Sequence, residues 1–182
     1  DTMLDTIRAL CMDPDINLDK KVYHSEMSHI SRNRAIAYLL ESKGYIEKNK
    51  DVENSLHFYV KMCSLSVTAE SLAGLGLILA NDGIHPDTGK RLLSSQAVKI
   101  VKTLMFTCGM YDGSGEFAVR VGIPSKSGVG GGILSVVDGE MGIGIFGPAL
   151  DKKGNSVAGE CVLEYMSHEL HLHMFDPQRH TL

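Results

Sequence analysis

Residues 132–146 constrain the fold most. Gly132 to Val137 is a short apolar run with Ile133, Leu134, Val136 and Val137, and Met141 to Phe146 is a second. Between them stands Asp138-Gly139, a pair whose backbone suits the tight turn of a two-stranded hairpin. The chain therefore contains an antiparallel sheet, and the sheet needs partners to cover it. Helical spacing supplies them. Met3, Leu4, Ile7, Leu10 and Cys11 repeat as one helix face, which Asp13-Pro14-Asp15 terminates. Residues 15–24 read as a loop. Helices are expected from about Ser31 to Lys43, stopped by Gly44, and from about Val52 to Cys63 with Val52, Leu56, Tyr59, Val60 and Cys63 on one face.

Thr68 can cap an apolar helix whose Gly74 and Gly76 imply close packing and which stops at Asn81-Asp82-Gly83. His85-Pro86-Asp87-Thr88-Gly89 is turn chemistry, and Ser94 can cap a helix from Ser95 to about Phe106. Glu116 to Val121 alternates and is expected to be a strand broken by Pro124. Asp151 to Asn155 reads as a polar loop and Ser156 to His173 as the closing helix. Helices, then antiparallel strands, then a helix make an α+β architecture with helices packed on a sheet.

Composition narrows the function classes. The 182 residues suit one domain, or a continuous piece of one, with residues 177–182 as a tail. Eighteen basic against twenty-two acidic residues, with no basic stripe, argue against nucleic acid as the main partner. No apolar run of about 18 residues exists to span a membrane. Cys11, Cys63, Cys108 and Cys161 form no CxxC pair, so they read as small hydrophobes, which suits a reducing compartment. His168-Glu169-Leu170-His171 lacks the second His at i+4 that a zinc-binding helix face needs, and reads as a solvated helix tail. Asp1 opens the chain without a preceding Met or leader, which suggests a segment cut from something longer.

Three stretches carry possible chemistry. Gly128, Gly130, Gly131 and Gly132 follow Lys126-Ser127, but they feed a strand and match neither phosphate-loop pattern. They leave two readings open. One is a Lys-Ser-Gly edge strand whose backbone N–H groups face an oxyanion, as in serine acyl-transferases of the penicillin-recognising type. The other is a glycine bulge that merely lets layers approach. In the second stretch, Glu26 in a loop and Asn33 at a helix start could grip an amino-acid ligand through its ammonium and carboxylate, or be solvated charge and a helix cap. In the third, Tyr59 and Tyr111 are either amphipathic core residues or, for Tyr111 near Lys126, a proton shuttle.

Taken together, these stretches resemble the serine-dependent glutaminase family, of bacterial type. The matching runs are Val22-Tyr23-x-Ser25-Glu26, Arg32-Asn33-x-Ala35-Ile36, Phe58-Tyr59-x3-Cys63-Ser64, Val67-Thr68 and Leu79-Ala80-Asn81-x-Gly83. They continue with Thr107-Cys108-Gly109-Met110-Tyr111, Ser114-Gly115-Glu116-Phe117, Val121-Gly122-Ile123-Pro124-x-Lys126-Ser127-Gly128-Val129 through Gly132, and Pro148-x-Leu150-Asp151-x3-Asn155-Ser156-x2-Gly159. The resemblance implies a β-lactamase/DD-peptidase-like α+β domain whose C-terminal part is residues 1–176. It implies hydrolysis of L-glutamine to L-glutamate and ammonia through an acyl-enzyme, without cofactor or metal, by a cytoplasmic homodimer or homotetramer.

The family's substrate contacts fall on Glu26, Asn33, Tyr59, Tyr111 and Val129. Glu26 would hold the α-ammonium, and Asn33 and Tyr59 the amino-acid end. The Val129 N–H would give half of the oxyanion hole, and Tyr111 would exchange the nucleophile's proton. The family's Ser-x-x-Lys is absent: no Ser or Thr here has a Lys three residues on, and Ser31-x-x-Arg34 offers a base that keeps its proton. The nucleophile is therefore expected upstream of Asp1, and the 182 residues alone are expected to be inactive. Two other functions remain compatible with the residues. One is a penicillin-recognising acyl-transferase with a different substrate. The other is a non-catalytic assembly module built on helices 52–63 and 68–80.

Overall fold

A computed structural model of the chain describes residues 2–47 and 51–179. Its contacts fall into two compact units, Asp15–Val67 and Asp1–Pro14 with Thr68–Leu182. The larger unit holds the sheet. Strands β3 (Ser125–Ser127), β4 (Gly132–Val137) and β5 (Met141–Phe146) pair antiparallel in that order. Val137 faces Met141 across the Asp138-Gly139 turn, and Ser125 to Ser127 face Ser135 to Ile133. The hairpin is the one expected from the sequence, with Asp138, Gly139 and Glu140 forming its connection.

Alternation assigns the two faces. Ile133, Val137 and Ile143 join Met110, Phe117, Val121, Ile123, Leu163 and Leu172 in one core, beneath helices α7 (Ser114–Arg120) and α8 (Val157–Glu169). Leu134 and Val136 point the other way and pack with Leu79, Ala80, Val98 and Met105 of helices α5 (Ala69–Ala80) and α6 (Ser95–Cys108). On that second face β5 places Gly142 and Gly144 opposite Val136 and Leu134. A Cβ at Gly142 would lie 2.2 Å from the Ala73 carbonyl oxygen, and one at Gly144 1.9 Å from that of Ala69. Backbone therefore touches backbone between β5 and α5. Helix α1 (Thr2–Cys11) packs on α5 in the same way, since a Cβ at Gly74 would meet the Cys11 carbonyl oxygen at 2.3 Å. The close packing read from Gly74 and Gly76 has this basis.

The smaller unit is helical. Strands β1 (Asn17–Leu18) and β2 (Leu65–Ser66) pair antiparallel at its two ends. Between them lie α2 (Lys20–Ser28), α3 (Ser31–Ser42) and α4 (Val52–Cys63). Ile30, Val52, Leu56 and Val60 form its core. Arg34 of α3 grips Glu53 of α4 with two bonds of 2.8 and 2.9 Å, a fork-to-carboxylate match.

Four expectations are corrected. Residues 15–24 are not a loop throughout: α2 begins at Lys20, because the Asp19 carboxylate accepts from the Lys21 and Val22 N–H groups and caps a helix too polar to show periodicity. Glu116 to Val121 is not a strand but most of α7. Its alternation over six residues also fits one helix face, with Phe117 and Val121 four residues apart in the core. Helix α8 stops at Glu169, and His171 takes a left-handed backbone, φ 54°, so the closing helix is shorter than expected. Of the cysteines only Cys11 is buried; Cys63, Cys108 and Cys161 are free and exposed. Cys63 fails as a core residue because α4 buries only Val52, Leu56 and Val60. Residues 180–182 of the expected tail lie outside the described residues.

Candidate active site

The five candidate residues divide between the units: Glu26, Asn33 and Tyr59 in the smaller, Tyr111 and Val129 in the larger. In the smaller unit Glu26 is exposed in the last turn of α2, rather than in a loop. Asn33 is half-buried in the first turn of α3, as expected. Tyr59 sits on α4, between the buried Leu56 and Val60, yet is 52% exposed. It is therefore not the core residue that its helical spacing allowed. The frame beneath is fixed by polar contacts as well as by apolar ones. The Tyr23 hydroxyl and His57 Nδ1 lie 2.6 Å apart between α2 and α4. The Arg34 fork holds the Glu53 carboxyl below the usual carboxylate range.

In the larger unit Tyr111 begins a single 3₁₀ turn, Tyr111–Gly113. Its φ is +51°, a left-handed conformation that costs a non-glycine residue about 1–2 kcal/mol. Its neighbours hold it there. The Met110 carbonyl accepts from Gly113 N–H at 3.0 Å and from Asn155 Nδ2 at 3.1 Å. The Ser114 hydroxyl accepts from Met110 N–H at 3.0 Å and donates to the Tyr111 carbonyl at 2.8 Å. Gly109 has to be glycine, since a Cβ there would lie 1.9 Å from the Ser125 carbonyl oxygen. That approach lets Ser127 N–H donate to the Gly109 carbonyl at 2.9 Å, which ties β3 to the Tyr111 turn.

Lys126 points its ammonium over the Tyr111 ring, 4.9 Å from the centroid, within cation–π range. The phenol O–H can both donate and accept a hydrogen bond at this position. Downstream, Val129 stands at a turn, 70% exposed. Its backbone N–H donates to no acceptor among the described residues, whereas the flanking Gly128 and Gly131 N–H groups bond to Gly132 and Gly128 carbonyls at 2.9 Å. Gly131, at φ +95° and pressed against Gly147, serves packing, as the bulge reading expects, and β3 beside the turn is an edge strand.

Asp151–Asn155, expected as a polar loop without a role at the site, is a further neighbour of Tyr111. This loop lies against the same turn: a Cβ at Gly154 would be 3.5 Å from the Tyr111 ring and 3.8 Å from Val129 Cγ1. Its signal was an Asp four residues before an Asn, with a glycine between. Asp151 Oδ1 accepts from the Lys153 and Asn155 N–H groups, both at 2.9 Å. His168, His171 and His173 contact protein groups away from the Tyr111 turn. His168 lies 3.0 Å from Glu169, His171 3.1 Å from Asp176, and His173 3.2 Å from the Ala118 carbonyl oxygen.

A family model described as "Glutaminase" matches residues 1–175. The chain belongs to the glutaminase family. A glutaminase of Clostridium tetani is 53% identical over 173 residues, covering 95% of this chain and 56% of the relative. One of Clostridioides difficile is also 53% identical, over 95% of this chain and 55% of its own length. The chain thus spans a little over half the length of the curated relatives it matches.

Solved glutaminase structures share the fold. A Bacillus glutaminase crystallised in 4.3 M NaCl superposes with a TM-score of 0.87 at 39% identity, over 95% of this chain and 59% of that one. A Bacillus subtilis glutaminase in covalent complex with 5-oxo-L-norleucine, formed from 6-diazo-5-oxo-L-norleucine, gives 0.88 at 39% identity, over 95% and 61%. The mixed α and antiparallel β architecture is the β-lactamase-like fold of these glutaminases.

Proposed function

We propose that the protein carrying this chain hydrolyses L-glutamine to L-glutamate and ammonia through a serine acyl-enzyme. The nucleophile comes from a Ser-x-x-Lys outside these 182 residues. The carrying observation is the glutaminase match over residues 1–175. The serine oxygen attacks the side-chain amide carbon of glutamine, and the carbonyl oxygen becomes an oxyanion that the free Val129 N–H can receive. The C–N bond breaks as the departing nitrogen takes a proton relayed by Tyr111, and ammonia leaves. Water then attacks the acyl ester, its proton returns to the serine, and glutamate is released. Glu26 pairs with the substrate's α-ammonium, while Asn33 and Tyr59 hold the amino-acid end.

We further propose a homodimer or homotetramer in the cytoplasm. Helix α6 exposes Ile100, Val101 and Leu104 on one face, which supports self-association. The three exposed free cysteines suit a reducing compartment. No helix among the described residues is long and apolar enough to cross a membrane.

The test is incubation of the full-length protein with glutamine. Ammonia and glutamate should appear in equal amounts. Glu26→Ala should raise KM by about 100-fold, the loss of one charge-assisted contact of roughly 1.5–3 kcal/mol plus an unpaired ammonium. Turnover near wild type in that variant would refute the assignment.

A further inference from the structure

We infer that Asn155 is a positioning residue for Tyr111, acting through the Met110–Tyr111 peptide bond. The inference rests on the glutaminase reading only for what Tyr111 does; the contact itself is independent of it. Asn155 is completely buried, and among the described residues the one bond its side chain makes is Nδ2 donating to the Met110 carbonyl at 3.1 Å. Its Oδ1 is enclosed without a hydrogen-bond partner among the described residues. Burying an amide half-satisfied is costly, and a side chain placed there for packing alone would be apolar. The one bond it does make fixes the plane of the peptide that leads into Tyr111, at the residue with φ +51°. Rotation of that plane would swing the phenol away from Lys126 and change the strained backbone.

Asn155 is itself held by a closed loop. Its N–H donates to Asp151 Oδ1 at 2.9 Å, and its carbonyl accepts from Asp151 N–H at 2.8 Å. The Asn155 N–H is the main reason that the Asp151 carboxyl lies below the usual carboxylate range, so the loop keeps its charge through neutral pH. Lys153 of the same loop reaches Glu116 on α7 at 2.8 Å. The loop is thus anchored at both its backbone and its side chains, and Asn155 transmits that anchorage to the Tyr111 turn.

The test uses the full-length protein, Asn155→Ala and Asn155→Asp, with two measurements. Activity on glutamine is followed between pH 6 and pH 8. The Tyr111 ring is followed by the NMR signal of 13C-labelled tyrosine, assigned by its loss in Tyr111→Phe. In Asn155→Ala, kcat per folded molecule should fall by about tenfold to hundredfold, the range for a misplaced reacting group, with KM within about threefold. The Tyr111 signal should shift. Asn155→Asp keeps the shape, and its buried carboxyl favours the protonated form, whose O–H can again donate to the Met110 carbonyl. Its kcat relative to wild type should therefore recover as pH falls, which a packing defect would not reproduce.

A relative kcat that is flat with pH, or a Tyr111 signal at the wild-type position in both variants, overturns the inference. Wild-type protein without glutaminase activity would overturn the functional reading alone. The tyrosine signal would then decide the positioning role by itself.

Discussion

Gly144→Ala probes the contact between β5 and α5. The new Cβ would stand 1.9 Å from the Ala69 carbonyl oxygen and 2.7 Å from the Ala73 nitrogen. Both are helix backbone, so no side chain can rotate away. An ordinary contact needs about 3.5 Å, so helix and strand must separate by roughly 1.5 Å at this point. Overpacking of this kind costs about 1–3 kcal/mol, and backbone collision places it at the upper end. The gap opened beside Leu72 and Leu79 weakens dispersion contacts by about another 1 kcal/mol. Restricting the unfolded chain returns about 0.4–1 kcal/mol. The net loss is about 3 kcal/mol, or roughly 6–12 °C in Tm at 2–4 °C per kcal/mol for a chain of this size.

The control is Gly115→Ala. Gly115 lies inside α7 with nothing within 4 Å of a Cβ, so alanine should stabilise by about 0.5–1 kcal/mol through helix propensity. Urea unfolding followed by circular dichroism measures both. A Gly144→Ala midpoint within 0.5 kcal/mol of wild type, on the scale where about 3 is expected, would refute backbone-to-backbone packing as the reason for glycine in β5.

Two further predictions concern side chains. Ellman's reagent on native protein at neutral pH should label Cys63, Cys108 and Cys161 and leave Cys11 unmodified, because burial, assisted by Asp13, pushes the Cys11 thiol up to about 11. The sign follows from the raised value: protection of the neutral thiol favours the fold below pH 9 and is lost as pH rises from 9 towards 11, so Cys11→Ser should flatten that alkaline part of the stability curve. Tyr111→Phe keeps the ring under Lys126 but removes the exchangeable proton. It should lower kcat for glutamine by about 10²–10⁴-fold with little change in stability, and a turnover within twofold of wild type would refute proton relay at this position.

Punctuation made much of the fold legible. Asp138-Gly139, Thr68, Ser94 and Gly44 each carry a local backbone requirement, and each stands where an element begins, turns or ends. Helix α2 was not legible because its stability comes from the Asp19 cap and from neighbours, not from an apolar stripe. Helix α7 was misread because seven residues hold too few turns to separate period 2 from period 3.6. At the site, the residue types of Tyr111 and Val129 were readable, but the left-handed backbone of Tyr111 was not. Nothing local to Cys108-Gly109-Met110-Tyr111 announces a bond from a residue 45 positions downstream. The role of Asp151–Asn155 emerges only when distant segments are brought together.

The pairing of Asn17–Leu18 with Leu65–Ser66 has a consequence for how such proteins diverge. Incoming and outgoing strands lie side by side, with Asp19 N–H donating to the Ser64 carbonyl at 2.9 Å, so the chain returns to where it left. Whatever lies between those points can be lengthened, shortened or swapped by recombination as one cassette, with no demand on the register of β3, β4 and β5. Glu26, Asn33 and Tyr59 travel inside that cassette, and Tyr111 and Val129 do not. A lineage could therefore retune its preference among amino-acid amides by exchanging residues 15–67, while the groups assigned to bond cleavage stay under separate selection.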